Sequence, residues 1–143
     1  MLKTIPPILG PELLAILRAM GHGDEIAIVD ANYPAEASGL ALVRLDGISA
    51  TDVLDAVLTL LPLDDFVEEA AFTMQVVGEP DARPPVVEEF LRIVQKHEPA
   101  RGLSALERFA FYERVAGAYA IVQTGERRLY GNILLKKGII RPS

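Results

Sequence analysis

Apolar residues recur along this chain in short stretches that alternate between helical and strand-like spacing. A first helix is predicted from Pro11, a residue that suits the first turn. Gly21 suits the left-handed residue that closes such a helix. The apolar run at 25–29 then predicts a buried strand that ends at Asp30. The apolar face of the helix consists of Leu13, Ile16, Leu17 and Met20.

Three further helices are predicted from start signals and apolar faces. Ser49 and Asp52 resemble a capping box before an amphipathic stretch. A helix that ends near His97 follows a turn at 78–81. A second box at 104–107 predicts a helix through about residue 117. Its apolar side chains surround much of the circumference, so we expect it to be covered on more than one side.

Besides the strand at 25–29, apolar runs predict strands at 40–44, 71–77, 119–123 and 133–135. No internal repeat or low-complexity linker interrupts them. The alternation of helices and apolar strands is typical of an α/β fold. The sequence therefore predicts a single domain over residues 1–143, with three layers in which a mixed β-sheet is flanked by helices.

Composition indicates a chain that associates with copies of itself. Half of its 143 residues are hydrophobic, and the mean hydropathy is +0.26. No apolar run approaches the roughly 18 to 20 residues that span a bilayer, and the start does not resemble a signal peptide. We therefore expect no membrane partner, and we expect the surplus apolar surface to lie between subunits of a homo-oligomer.

Charge and rare residues exclude several classes of function. The net charge is −6 and no dense basic block is present, which argues against nucleic acid. The chain has no cysteine, so it has no disulfide or thiol chemistry, which fits a reducing cytoplasm. Its two histidines, far apart in sequence, cannot form a three-histidine metal site, and nucleotide-binding and serine-nucleophile motifs are missing. Most of the further acids are interpreted as solvated, and Asp64-Asp65 is interpreted as the start of a turn or short helix; these acids are Asp24, Glu25, Glu36, Asp64 and Asp65.

His22 is the first candidate for chemistry, because it lies between two glycines where a helix should end. Histidine exchanges protons near neutral pH, and the glycines leave room for a ligand to approach the ring. A simpler interpretation is a histidine that caps the helix C-terminus and is stabilised there by the helix dipole.

Asp30 and Arg108 are candidates for holding a polar ligand. Asp30 follows a strand at the carboxyl end, where ligands of open α/β sheets bind. Alternatively, its carboxylate organises the following loop. Arg108 lies among apolar residues and needs an acceptor. That acceptor is Glu107, Glu113 or a ligand oxygen, and a structural ion pair is the simpler of these choices.

The segment Tyr130-Gly131-Asn132 supplies a phenol, an unobstructed backbone and a carboxamide within three residues. These groups can donate hydrogen bonds to a small polar ligand, accept them and stack against it. The same residue types are also common in ordinary turns. The segment gains weight only if it meets the other candidates in space, and we expect it to meet the His22 cluster.

Taken together, these segments resemble the fucose mutarotase / D-ribose pyranase family along nearly the whole chain. The resemblance rests on MLKTI at 1–5, MGHGDEI at 20–26, RFAFYER at 108–114, TGER at 124–127 and YGNILLKKG at 130–138. It implies an α/β domain that assembles into rings, commonly decamers, and that uses no metal or organic cofactor. It also implies that His22 is catalytic and that Asp30, Arg108, Tyr130, Gly131 and Asn132 contact the sugar.

The implied activity is an L-fucose mutarotase, a cytoplasmic isomerase that interconverts the α and β anomers of L-fucose by acid/base ring opening. Arginine at position 108 favours the fucose branch, since the pyranase branch carries histidine there. Asn32 and Glu36 stand where a bacterial fucose enzyme has histidines. Two alternatives therefore stay open, a D-ribose pyranase activity and a non-catalytic, transport-associated protein that binds a monosaccharide.

Overall fold

A computed structural model describes all residues from 1 to 143. Helices and strands alternate along the chain, with one 3-10 turn at Glu36–Ser38. No helix has both the length and the apolar character needed to cross a membrane. The helices are α1 (Pro11–Ala19), α2 (Ala50–Leu58), α3 (Pro85–His97) and α4 (Arg108–Ala116), and the strands are β1 (Glu25–Val29), β2 (Ala41–Leu45), β3 (Ala71–Met74), β4 (Ser104–Leu106), β5 (Ala120–Thr124) and β6 (Ile133–Lys136).

The six strands form one mixed sheet in the order β2-β5-β1-β6-β3-β4. Strand β5 pairs in parallel with β1 on one side and with the edge strand β2 on the other. Strand β6 runs antiparallel between β1 and β3, with Ile28 opposite Ile133. Because β6 enters the sheet where β1 leaves it, the residues that precede β6 lie at the carboxyl end of β1.

Side chains of β1 alternate between two hydrophobic cores. Ile26 and Ile28 pack in the larger core with α1, α2 and α3, whereas Ala27 and Val29 pack in the smaller core with α4. All four are fully buried, as expected of a central strand covered on both faces. The predicted three-layer α/β domain with a mixed sheet is confirmed.

The end of α1 differs from the sequence prediction. The helix closes at Met20, and the left-handed glycine is Gly23, with φ of 89°, not Gly21. Lys137 provides the reason, since its ammonium group donates to the carbonyl oxygens of Leu17 and Met20 at 2.7 and 2.5 Å. With those terminal carbonyls satisfied, α1 needs no glycine to close it.

The predicted helix start at 104–107 is wrong, because Ser104–Leu106 is strand β4 and pairs in parallel with β3. Helix α4 begins only at Arg108. The carboxylate of Glu107 accepts hydrogen bonds from the amides of Phe109 and Ala110 at 2.9 and 3.1 Å. Glu107, the acid of the apparent capping box, is therefore itself the N-cap of α4, because Ser104 belongs to the edge strand β4.

Within one copy, α4 is covered on one side only, contrary to the expectation of cover on more than one side. Phe111 and Val115 are buried against the sheet. Phe109 is 65% exposed and Tyr112 is 36% exposed on the opposite side. An exposed apolar helix face of this kind marks a surface that another protein or a ligand covers.

Candidate functional site

The structure brings Asp30 together with the segment 130–132 at the carboxyl end of β1. The side-chain oxygen of Asn132 accepts a hydrogen bond from the backbone N–H of Asp30 at 2.8 Å. Both residues are 4% exposed. Two of the predicted polar positions, 102 residues apart in sequence, thus form one buried unit.

A pocket of about 210 Å³ opens above this unit. It combines a carboxylate, a guanidinium, two carboxamides and three phenols with a few apolar side chains. Convergent polar groups of this kind are the usual mark of a binding site for a small polar ligand. The lining residues are Asp30, Asn32, Tyr33, Met74, Val77, Arg108, Tyr112, Leu129, Tyr130 and Asn132.

Asp30 serves the loop and the pocket at the same time. Its Oδ1 accepts a hydrogen bond from the amide of Asn32 at 3.0 Å, which organises the turn that follows β1. Burial raises the pKa of its carboxyl, and the hydrogen bonds from Asn32 and neighbouring groups offset that effect only in part. A carboxylate that is partly desolvated before a ligand arrives is primed to accept ligand hydroxyl groups.

The segment 130–132 is held in a specific conformation. Tyr130 has φ of 65°, a left-handed value that is uncommon for a non-glycine residue. Its hydroxyl accepts a hydrogen bond from the amide of Val77 at 3.1 Å. A Cβ on Gly131 would lie 2.7 Å from Cγ of Glu126, so the glycine is required for close packing.

Sequence reasoning missed the ion pair that supports this segment. Glu126 is 5% exposed and accepts hydrogen bonds from the guanidinium of Arg128, with Nε at 3.0 Å. Hydrogen bonding by Arg128 holds the pKa of Glu126 below its usual range. The backbone oxygen of Glu126 also accepts from the amide of Ala31 at 2.9 Å, which ties the segment to the loop after Asp30.

Two tyrosines that the sequence analysis did not select form an aromatic wall of the pocket. The rings of Tyr33 and Tyr112 lie 5.2 Å apart. Burial raises the pKa of the Tyr33 hydroxyl, with the nearby Tyr112 and Asp30 adding to the effect. A spacing signal was available for Tyr112, because it lies four residues after Arg108 and so shares its helix face.

Arg108 has no carboxylate partner, so the structural ion pair considered for it is wrong. It occupies the first position of α4, and its guanidinium lies 4.6 Å from the ring centroid of Phe109. It lines the same pocket as Asp30. A guanidinium free of protein acceptors can donate to oxygens of a bound ligand.

His22 lies at the other end of β1, and it does not line this pocket. His22 precedes β1, whereas Asp30 follows it. The neighbouring Gly23 donates its backbone N–H to the carbonyl oxygen of Lys137, just after the end of β6. The five residues of β1 alone separate the two ends by roughly 17 Å. The expectation that the His22 cluster and the 130–132 segment meet is therefore wrong within a single copy.

Asp64 is an exception among the further acids, most of which were expected to be solvated, because its side chain is 3% exposed and contacts His22. Its Oδ1 lies 2.9 Å from Nε2 of the imidazole. Burial raises the pKa of Asp64, but hydrogen bonds from His22 and from the amide of Phe66 outweigh that effect, and the net pKa is lowered. The charged carboxylate thus fixes one ring nitrogen and leaves Nδ1 available.

The imidazole is accessible in the single copy. Its side chain is 42% exposed, and its ring centroid lies 5.0 Å from that of Phe66. An exposed imidazole oriented by a buried carboxylate can serve as a general acid or base. No group of three or more potential metal ligands occurs in the structure.

Known proteins resemble this chain along its length. Human fucose mutarotase is 45% identical over 145 residues, which cover 97% of this chain and 94% of that protein. The structure of the fucose mutarotase from Streptococcus pneumoniae in complex with L-fucose has a TM-score of 0.91 and 42% identity, over 98% of this chain and 100% of that one. FucU from Bifidobacterium longum has a TM-score of 0.92 and 39% identity, over 97% of this chain and 100% of that one.

A family model agrees with these similarities. The model described as the RbsD / FucU transport protein family matches residues 3–140. The match includes both ends of β1, with His22 and Asp30, and the segment that precedes β6. The chain therefore belongs to the RbsD / FucU family.

Proposed function

We propose that this protein is an L-fucose mutarotase, which interconverts the α and β anomers of L-fucose. One observation carries the proposal: Asp30 and Asn132, linked by the hydrogen bond from the Asp30 backbone N–H to Asn132 Oδ1, bring a buried carboxylate and a carboxamide to one pocket sized for a small ring. The similarity to human fucose mutarotase supports the reaction. The similarity to a fucose mutarotase in complex with L-fucose supports the sugar.

Each ring opening or closure in the exchange of anomers requires two proton transfers. Ring opening of a cyclic hemiacetal removes a proton from the anomeric hydroxyl and delivers one to the ring oxygen. Closure on the other face of the carbonyl reverses both transfers and yields the other anomer. Because no bond to an external group forms, a positioned acid/base near neutral pH and fixed hydrogen-bonding partners suffice.

In this proposal, His22 carries the main proton transfer. Asp64 holds Nε2, so Nδ1 is the nitrogen that exchanges a proton with the anomeric hydroxyl or the ring oxygen. The imidazole of the same copy lies beyond the pocket. We therefore infer that His22 of a second copy completes each pocket, which fits its 42% exposed side chain.

The pocket residues hold the sugar for that transfer. Asp30 accepts hydrogen bonds from sugar hydroxyls and Arg108 donates to sugar oxygens, which fixes the ring orientation. The bare backbone at Gly131 and the carboxamide of Asn132 allow close approach of the ring. The phenol of Tyr130, or a water molecule, handles the complementary proton.

We further infer that the protein is a homo-oligomer, that a decamer is the expected assembly and that it acts in the cytoplasm. Shared pockets require at least one interface between copies. The exposed faces of Phe109 and Tyr112 supply apolar surface for such an interface. The absence of cysteine fits a reducing compartment.

Exchange NMR on anomeric protons tests the activity. Substoichiometric protein should speed exchange between the α and β signals of L-fucose, whereas a non-catalytic binder only shifts or broadens them. D-ribose in a parallel sample tests the pyranase alternative. If L-fucose exchange stays at the buffer rate, the proposed function is wrong.

Two matched variants test the role of the imidazole. His22→Ala should lower the exchange rate by about 10²- to 10⁴-fold while binding is largely kept. His97→Ala is the control, because that histidine is bonded to Asp55 at 2.6 Å at the end of α3, away from the pocket. Full activity of the His22 variant would remove this residue from the mechanism.

A further inference from the structure

A second cavity, of about 690 Å³, adjoins the proposed sugar pocket. It lies between the N-terminal end of α3, the loop that follows β3 and the segment 127–130. We call it the basic groove and define it by Arg83, Arg127, Arg128, Leu129 and Tyr130. The groove and the sugar pocket share two residues, Leu129 and Tyr130, which form the wall between them.

Arginines are concentrated at the groove of an otherwise acidic protein. Its lining holds three arginines against one acid, Glu79, while the whole chain has a net charge of −6. Arg128 is neutralised by Glu126 and Glu89. Arg127 forms no ion pair. Arg83 has one partner, Glu88, and the distance of 3.9 Å from Arg83 Nε to Glu88 Oε1 is long for an ion pair. Two guanidinium groups are thus available to an anion.

The remaining surface of the groove explains the type of anion. Pro84 and Pro85 at the start of α3, together with Leu129, give it an apolar floor beneath the guanidinium groups. The N-terminal end of α3, where the helix dipole is positive, borders the same space. Guanidinium groups pair with phosphate oxygens in a bidentate manner. An organic phosphate therefore matches both the charge and the apolar floor.

The shared wall fixes which part of the ligand enters the groove. Tyr130, one of the two candidates for the complementary proton transfer, lines both the pocket and the groove. We place the anomeric carbon of a bound sugar beside Tyr130, so that a substituent on that carbon extends toward the groove. This step rests on the sugar pocket proposed above.

We propose that the basic groove binds the phosphate group of a sugar 1-phosphate whose ring occupies the adjoining pocket. An anomeric phosphate locks the sugar as an acetal that cannot open its ring, so the ester is not a substrate. It is instead a competitive inhibitor of anomer exchange. The protein thereby senses the phosphorylated form of its own substrate.

Calorimetric titration and exchange NMR with β-L-fucose 1-phosphate test this proposal. The ester should bind at least about tenfold more tightly than L-fucose, because charge-assisted hydrogen bonds are added. It should raise the apparent KM for fucose exchange and leave kcat unchanged. Inorganic phosphate alone should bind at least about tenfold more weakly than the ester, because it lacks the sugar ring.

Three variants locate the site. Arg127→Ala and Arg83→Ala should each weaken the ester by about tenfold or more and leave fucose exchange unchanged. Arg92→Ala is the control, since this arginine is exposed on α3, has no ion pair and lies outside the groove. It changes the net charge equally, and it should leave the affinity for the ester unchanged.

Several results would overturn the proposal: no binding of the ester, equal binding of inorganic phosphate, or equal losses in the Arg92 control and the groove variants. Failure of the proposed function gives a different pattern. In that case the wild type would not accelerate fucose exchange, yet the ester would still bind with dependence on Arg83 and Arg127.

Discussion

Replacing Asp30 with asparagine should remove most activity and, at neutral pH, make the protein more stable. The side chain keeps its shape, and its Oδ1 can still accept from the amide of Asn32. The bond from the Asp30 amide to Asn132 involves backbone and is untouched. The fold of the loop should therefore survive, and only the second carboxylate oxygen, which becomes an amide nitrogen, changes its role.

The size of the activity loss follows from that oxygen. It can accept one or two sugar hydroxyl groups, and each charge-assisted hydrogen bond contributes about 1.5 to 3 kcal/mol. Losing one such bond lowers kcat/KM for anomer exchange by roughly 10- to 100-fold, and losing two lowers it further. Exchange NMR at several L-fucose concentrations measures this value.

The stability gain follows from the raised pKa of Asp30. A buried carboxyl whose folded pKa lies above the unfolded value of 3.8 destabilises the protein once both states are ionised. This penalty is absent below the unfolded pKa, grows as the pH rises through the folded pKa and is constant above it. The variant should therefore have the higher Tm at pH 7, and the difference should shrink on acidification.

Asp81→Asn is the matched control, because Asp81 is exposed and forms no ion pair. It should change neither activity nor the pH dependence of Tm. The account of Asp30 would be refuted by a variant that keeps kcat/KM within about threefold of the wild type, since one charge-assisted bond already exceeds that factor. A lower Tm at pH 7 would refute the argument from burial.

Three further changes give separate tests. Gly131→Ala places a Cβ 2.7 Å from Cγ of Glu126. Thermal denaturation should therefore show a free energy of unfolding lowered by about 1 to 3 kcal/mol. Gly47→Ala is the control, because open space surrounds Gly47, and it should show no such loss. Asp64→Asn should lower kcat by roughly tenfold or more with KM kept and should shift the pH–rate profile; an unchanged profile contradicts its role. Glu107→Ala should cost about 1 kcal/mol in urea denaturation through loss of the helix cap, and unaltered stability contradicts that cap.

Periodicity was sufficient for most of the fold. The apolar run at 25–29 is β1 itself, and Pro11 begins α1 as its position predicts. Periodicity failed where a distant partner decides the local structure. The local sequence predicts that Ser104 caps a helix, but pairing with β3 makes it part of an edge strand. The local sequence predicts that Gly21 ends a helix, but Lys137, near the other end of the chain, donates hydrogen bonds to the terminal carbonyl oxygens of α1.

The proximity of Asp30 and Asn132 in the candidate site could be inferred from their positions at the ends of strands. Asp30 and Asn132 meet because β6 runs antiparallel to β1, which their positions at strand ends already suggest. His22 and Asp30 flank opposite ends of the five-residue strand β1, so a single copy cannot bring both to one pocket. The contact of Asp64 with His22 spans 42 residues and follows no spacing rule, so no local pattern could reveal it.

The central claim is that His22 of one copy transfers protons to a sugar bound over Asp30 of another. Co-expression of the His22→Ala and Asp30→Asn chains, with purification of mixed oligomers through two tags, tests it most directly. Each variant alone should be nearly inactive. Random mixing leaves about a quarter of shared sites with both native residues, so about a quarter of wild-type exchange activity should return. Mixed oligomers as inactive as the parent variants would contradict the claim.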